Sequence, residues 1–302
     1  MTQIHLRLPY LWRGAVFLVL CACTAAQAAQ LQPETVEAFK QHVAATMDLN
    51  AQSSRDAPVN NGGPFLRTAA GAPKRQKLRD GEISVNPQQG QGDIPIEKGI
   101  IHHWIGGVFV PGRTAGDALN LLRDFDSYEQ IYGAAVEESK VLGRQGEAYR
   151  TFLRLRQHRI VTVVLNSEYD VAFEKVDEKR WYSRSVSTRI AQVKNPGGPG
   201  ERELPVGEDS GYLWRIVTLW RMEEADGGVY LECEVIGLTR GVPYGFGWLV
   251  RPIIRSFPRE SLSETLSNTR NALLSRDGGS RPGVDLTRVS LATGIMPSNG
   301  PK

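Results

Sequence analysis

RIVTVVLNSEYDVAF at residues 159–173, WYSRSVSTRIAQV at 181–193, GYLWRIVTLWRME at 211–223 and VYLECEVIGLTR at 229–240 share one property. Their apolar and polar side chains alternate with a period of two, the period of a β-strand with unlike faces. Turn signals separate the runs, such as Asp226-Gly227-Gly228. A further run, Ala148–Gln157, precedes them. Consecutive strands joined at hairpin distance predict an antiparallel meander of about five strands.

Alternation sorts the residues into two sets. One holds Val161, Val163, Leu165, Tyr169, Val171 and Phe173, then Tyr182, Val186 and Ile190. It continues with Tyr212, Trp214, Ile216 and Trp220, and with Val229, Leu231, Cys233 and Val235. The other holds Arg154, Arg156, Glu168, Asp170, Arg189, Arg215, Arg221, Glu232 and Glu234. The aromatic set is read as inward and the charged set as a wet outer face of cross-strand pairs. Arg184, Thr188 and Thr218 are polar exceptions on the inward set. An unpaired buried arginine is very costly, so Arg184 pairs with an internal carboxylate, lies at the rim or faces a ligand.

Gly99–Val110 (GIIHHWIGGVFV) reads as a strand ended by Pro111-Gly112. Thr114 with Asp117 then caps a short helix whose stripe is Ala118, Leu119, Leu122 and Phe125. Pro243–Arg276 returns to helical period. Pro252 is expected to bend or break it, with Pro258 in the first turn of a final helix presenting Phe257, Leu262, Leu266 and Leu273 on one face. The sheet needs one face covered, and this terminal helix is the element long enough to cover it. Upstream, Pro33–Met47 fits a helix. Residues 48–96, rich in Asn, Gln, Gly and Pro, read as a linker or loosely packed arm, with a basic stretch at Lys74–Arg79. Lacking interleaved aromatics, that stretch reads as a solvated helical turn.

Residues 1–28 have the layout of a secretory signal peptide: Arg7 and Arg13, an apolar run from Gly14 to Cys23, and Ala26-Gln27-Ala28 before the cleavage point. The run is too short for a membrane span, which needs about 20 residues. Leu20-Cys21-Ala22-Cys23 also resembles a bacterial lipobox, so a lipid anchor at Cys23 is the alternative processing. The expected location is periplasmic or secreted, or membrane-anchored as a lipoprotein. The organisation read is thus signal peptide 1–28, helical arm and linker 29–98, ligand-binding domain 99–276 and disordered tail 277–302.

The composition narrows function by exclusion. A net charge of +3 over 302 residues is too small for a nucleic-acid binder. Three cysteines exclude a disulfide scaffold. His102 and His103 are neighbours on one strand and point to opposite faces, so they hold no metal together. His103, sharing a face with Ile101, Ile105 and Phe109, reads as a core histidine. Glu208-Asp209-Ser210-Gly211 has a serine-nucleophile look but lacks the strand–turn–helix setting and a histidine partner. Arg150, Arg154 and Arg156 form a stripe that acidic neighbours on the next strand neutralise. No cofactor or metal is expected.

Two segments carry a family resemblance. Leu122–Leu142 (LRDFDSYEQIYGAAVEESKVL) resembles the helix and tight turn leading into the second strand of the START and Bet v 1 superfamily. Gly241–Leu274, with WLVRPIIRSFPRESLSETLSNTRNALL as its core, resembles that superfamily's gripping helix. The resemblance spans about Gly99–Arg276 and implies an α+β helix-grip fold, a curved antiparallel sheet wrapped around a long C-terminal helix with an apolar cavity between. The loop Lys194–Ser210 is long enough to flank the mouth. On this reading the cavity is lined by Tyr169, Tyr182, Arg184, Thr188, Tyr212, Trp214, Trp220, Leu231, Leu262 and Leu266. The expected function is an exported, non-enzymatic binding protein for an apolar or amphipathic, lipid-like small molecule. The rivals are a polyketide cyclase-like enzyme using cavity Tyr, Arg and His, and an envelope protein whose core is filled by its own side chains.

Overall fold

The computed structural model describes residues 29–55, 65–158, 162–241 and 247–276. The signal peptide, Cys21, Cys23, Val161, Pro243 and the tail from Asp277 lie outside the described residues. The elements run β1 (Ala29–Gln30), α1 (Pro33–Arg55), α2 (Ala72–Arg79), β2 (Ser84–Pro87), β3 (Asp93–Ile96) and β4 (Gly99–Pro111). Next come α3 (Ala115–Arg123), α4 (Tyr128–Tyr132), β5 (Val136–Gln145), β6 (Ala148–His158), β7 (Thr162–Lys175) and β8 (Arg180–Lys194). The last are β9 (Arg202–Glu203), β10 (Glu208–Asp209), β11 (Arg215–Ala225), β12 (Gly228–Arg240) and α5 (Gly247–Ser275).

The main sheet is antiparallel with strand order β2-β4-β12-β11-β8-β7-β6-β5, β3 following β2 along β4 and β9 pairing β8. The meander has six strands rather than about five, because Val136–Gln145 is itself a strand. The Asp226-Gly227 turn takes positive φ at both residues, 54° and 75°, as a two-residue hairpin of the favoured hand requires. Thr114 and Asp117 form the reciprocal capping box. Helix α5 continues through Pro252 and Pro258 as one 29-residue helix, so neither proline starts or stops it. Each removes one amide donor from the helical ladder, a local loss that the packed length of the helix outlasts.

Helix α5 lies over β4, β2 and β12. Leu262, Leu266 and Leu273 join Trp104, Val108, Trp220, Leu231 and Cys233 in the largest core cluster. Gly106 lets the helix approach: a Cβ there would lie 2.6 Å from Leu266 Cδ1.

The other face of the sheet is not wet along β4, β12 and β11. Helix α1 covers it, with Phe39 among Ile101, Trp214, Val217, Leu219, Ile236 and Leu238. Phe65, Leu66 and Leu78 cover Phe109 and Tyr230 beside them. Gly107 mirrors Gly106: a Cβ there would run into Thr68. Strands β2 and β3 also come from the stretch whose composition reads as a linker. The loop 194–210 lies along the start of the described chain, since β10 pairs with β1 and Leu31 N–H donates to Gly207 O at 2.8 Å.

Burying this face buries its charges. Arg221, Glu232 and Glu234 are 3%, 0% and 0% exposed, so the reading of them as solvated is corrected. Buried charges persist only when paired and hydrogen-bonded. Glu232 accepts from Thr68 N–H (2.7 Å), Thr68 Oγ1 (2.9 Å) and Arg221 Nη1 (2.7 Å). Glu234 accepts from Asn50 Nδ2 (2.9 Å) and His103 Nε2 (2.8 Å), with Arg67 Nη2 at 2.5 Å. His103 Nδ1 lies 2.9 Å from His42 Nε2 on α1. His103 is thus the core histidine its neighbours suggested, with both ring nitrogens engaged. By contrast Arg150, Arg154 and Arg156 pair with Glu168, Glu137 and Glu201 on an open part of the sheet.

This network predicts a two-step loss of stability in acid. Burial alone would raise the Glu234 carboxyl, but the His103 hydrogen bond and the Arg67 and Arg221 charges outweigh it and hold it at about 2. A carboxyl depressed on folding stabilises above its ordinary value of 4.5 and loses that contribution as pH falls toward 2. Burial, then the neighbouring His103, lowers His42 below 6.5. The folded protein resists protonating it, so stability also falls as pH drops below 6.5. Urea midpoints measured from pH 8 to pH 3 should show both declines, and His42→Gln should flatten the first alone. An unchanged first decline in that variant would remove His42 from the account.

Candidate functional site

The concave, helix-facing side of the sheet is the candidate site. Of the residues predicted to line it, Tyr169, Trp220, Leu231, Leu262 and Leu266 do lie on that side, buried in one cluster. The others do not. Tyr182 and Trp214 pack on the opposite face under α1. Arg184 is exposed there, its Nη1 3.9 Å from Met47 Sδ. Thr188 is exposed, and Tyr212 is 49% exposed.

A bulge explains most of this. Glu168 pairs with Arg189 but Tyr169 pairs with Ser187, so Thr188 is an extra residue in β8. Alternation counted back from Ile190 therefore inverts at Thr188. Tyr182, Arg184 and Val186 go to the outer face. Ser183, Ser185 and Ser187 take the inner face opposite Phe173, Val171 and Tyr169. Trp214 precedes the first regular residue of β11, and Asp209 turns its indole outward, accepting from Nε1 at 3.0 Å.

What the inner face of β6, β7 and β8 carries instead is hydroxyls. Thr151, Ser167, Ser183 and Ser187 are 1%, 0%, 2% and 6% exposed and sit around Tyr169. Ser167 donates to Leu153 O at 2.9 Å, and Ser187 Oγ accepts from Ile216 N–H at 2.9 Å. At the rim of this side, Tyr132 OH lies 3.2 Å from Thr269 Oγ1 of α5. Ser139 Oγ on β5 and Trp104 Nε1 on β4 are among the buried polar atoms without a hydrogen-bond partner. On β8, alternation counted back from Ile190 puts Ser183 and Ser187 outward, whereas Thr151 and Ser167 keep the inward parity of Leu153 and Tyr169 and went unnamed among larger neighbours. The run Ser183-x-Ser185-x-Ser187 was the available signal.

The strand side chains of this lining are uncharged, and the Arg123 guanidinium of α3, paired with Glu147, packs 5.1 Å over the Phe173 ring. Burial pushes the Tyr169 and Tyr132 phenols up to about 12, so both stay protonated and can donate a hydrogen bond. Burial pushes the Cys233 thiol well up, which keeps it from forming the reactive thiolate. His102, at the β3 end, is held by Asp93 Oδ1 at 2.7 Å and Thr239 Oγ1 at 2.9 Å, and it staples β3 and β12 to β4. Asp209 accepts from Gly211 N–H at 2.7 Å as well as from Trp214, so the Glu208–Gly211 segment is a structural turn. Among the described residues no group of three or more His, Cys, Asp or Glu gathers to hold a metal ion. None of their helices is long and apolar enough to cross a membrane.

No family model matches the chain, and no curated protein matches it. Solved structures do align with it. A Thermus thermophilus protein aligns at 14% identity over 57% of this chain and 97% of its own, with a TM-score of 0.42. A STAR-related lipid transfer protein fragment from Xanthomonas axonopodis gives 18%, 61%, 99% and 0.42 for the same measures. The Zhui aromatase/cyclase from Streptomyces sp. R1128 gives 13%, 58%, 95% and 0.39. Identities and scores this low say nothing of ligand or activity. The meander, the short helices after β4 and the long terminal helix across its concave side make an α+β fold of helix-grip architecture.

Proposed function

We propose that the protein is an exported, non-enzymatic binding protein for a neutral amphipathic small molecule, held against the inner face of the sheet. The observation that carries this reading is the lining itself. Buried hydroxyls of Thr151, Ser167, Ser183 and Tyr169 alternate with Leu153, Val171 and Phe173. Apolar walls with a few placed polar groups are what a small-molecule site needs. A charged ligand group would find no counter-charge among these residues. Phenols held protonated supply donors and no base, which favours binding over a cyclase reaction.

Tryptophan emission tests the reading. Trp220 is in the helix-side core and Trp214 in the opposite cluster. Titration with a monoacylglycerol should give a saturable change that Trp220→Phe removes and Trp214→Phe leaves. Tyr169→Phe should weaken binding about 5- to 10-fold, the loss of one hydrogen bond of roughly 1–1.5 kcal/mol. Arg184→Ala should have no effect. No saturable response, or equal loss in both tryptophan variants, would refute the site.

A further inference from the structure

The basic stretch of α2 is not used uniformly. Arg75 pairs with Glu223 and stacks 4.8 Å over the Tyr230 ring, and Arg79 reaches Asp226 at 3.4 Å. Lys74 and Lys77 leave that side and line a cleft of about 330 Å³ between α2 and β2, on the α1 side of the sheet. Neither lysine has a carboxylate partner among the described residues; Lys74 Nζ donates to Arg67 O at 3.3 Å.

The internal hydrogen bonds of the cleft consume its acceptors and leave its donors. Gln88 Oε1 accepts from Arg67 Nη1 at 2.9 Å, which leaves the Gln88 amide N–H groups to donate. Ser84 Oγ accepts from Asn86 Nδ2 at 2.8 Å, which leaves the Ser84 O–H to donate. Arg67 is tied beneath by Glu234, and its Nε is buried without a partner. Against two ammonium groups and these donors stands one carboxylate, Glu82, while Leu78 and Ile105 form an apolar floor.

We propose that this cleft binds a phosphate monoester. Two ammonium groups against the one Glu82 carboxylate leave the cleft net positive, which a phosphoryl group of about −1.5 to −2 at pH 7 complements. The separate donors suit the three oxygens of a phosphoryl group, and the volume leaves room for a small organic body on Leu78 and Ile105. The site lies across the sheet from the hydroxyl-lined face and does not depend on it. A soluble phosphate ester and the headgroup of a phosphatidic acid share this chemistry.

The experiment uses the full chain at low salt with two probes, glycerol 3-phosphate by calorimetry and phosphatidylcholine vesicles containing phosphatidic acid by co-sedimentation. Saturable binding to at least one probe is expected, weakened tenfold or more by Lys77→Glu and by Lys74→Glu, and less than twofold by the remote Lys175→Glu. Circular dichroism reports folding of each variant, and Asn86→Ala, a neutral change on β2, gives an independent loss should a lysine variant not fold. Binding to glycerol 3-phosphate assigns a soluble ester, and binding to vesicles alone assigns the lipid headgroup. Vesicles of phosphatidylglycerol, a diester, at matched surface charge should bind at least tenfold more weakly. No binding to either probe, equal binding to the diester, or equal loss with Lys175→Glu would overturn the proposal.

Discussion

Glu232→Ala is expected to cost about 3–5 kcal/mol, enough to unfold a domain of ordinary stability. The size follows from what the substitution strands. The Glu232 carboxylate is fully buried and holds Arg221, 3% exposed, at 2.7 Å. Without it the Arg221 guanidinium keeps, among the described residues, the Glu234 carboxylate, whose Oε2 is 3.5 Å from Nη2, and the Tyr182 ring at 5.9 Å. Thr68 loses its acceptor for both N–H and hydroxyl, so the strap that seals this face loses its polar anchor. Replacing both charges by apolar residues of similar size removes the stranded cation, so Arg221→Met with Glu232→Leu should cost less than the sum of the single changes. Urea denaturation of the four proteins closes the cycle. A cost below about 1 kcal/mol for Glu232→Ala would mean that water reaches Arg221 and that this face is not sealed.

That sealed face marks the limit of what the sequence disclosed. Strand positions, the Asp226-Gly227 hairpin, the Thr114 cap and the terminal helix were legible because each depends on neighbours in the chain. Alternation separates two faces but does not say which is covered, since the cover comes from far along the sequence. A charged residue there reads as solvated until its partner is known, as with Glu234 and His42, which meet only through His103. One signal was present. Gly99–Val110 is a nearly unbroken apolar run, the pattern of a strand buried on both sides. It asked for a second covering layer, which α1 supplies. The β8 part of the inner lining was hidden by one residue, since an extra Thr188 has no signature in a run that alternates on either side of it.

The other large effect lies where α5 meets the sheet, and it comes as a pair. Leu266 is fully buried, and Leu266→Ala should cost about 2–5 kcal/mol, toward the upper end because the rigid sheet beneath cannot collapse into the hole. Gly106→Ala should cost about 1–3 kcal/mol for the opposite reason. Its methyl would sit 2.6 Å from Leu266 Cδ1 and 2.9 Å from Ser84 O, and the second of these is backbone fixed in β2. The combination separates the two causes. If Gly106 is there to admit Leu266, the new methyl enters the space that Leu266→Ala vacates, and the double variant should be more stable than the summed costs by about 1 kcal/mol or more. The clash with Ser84 O remains, so the rescue is partial and the double variant stays below the wild type. Strict additivity in urea midpoints would show that β2 alone imposes glycine at position 106 and that the helix approach is set elsewhere along α5.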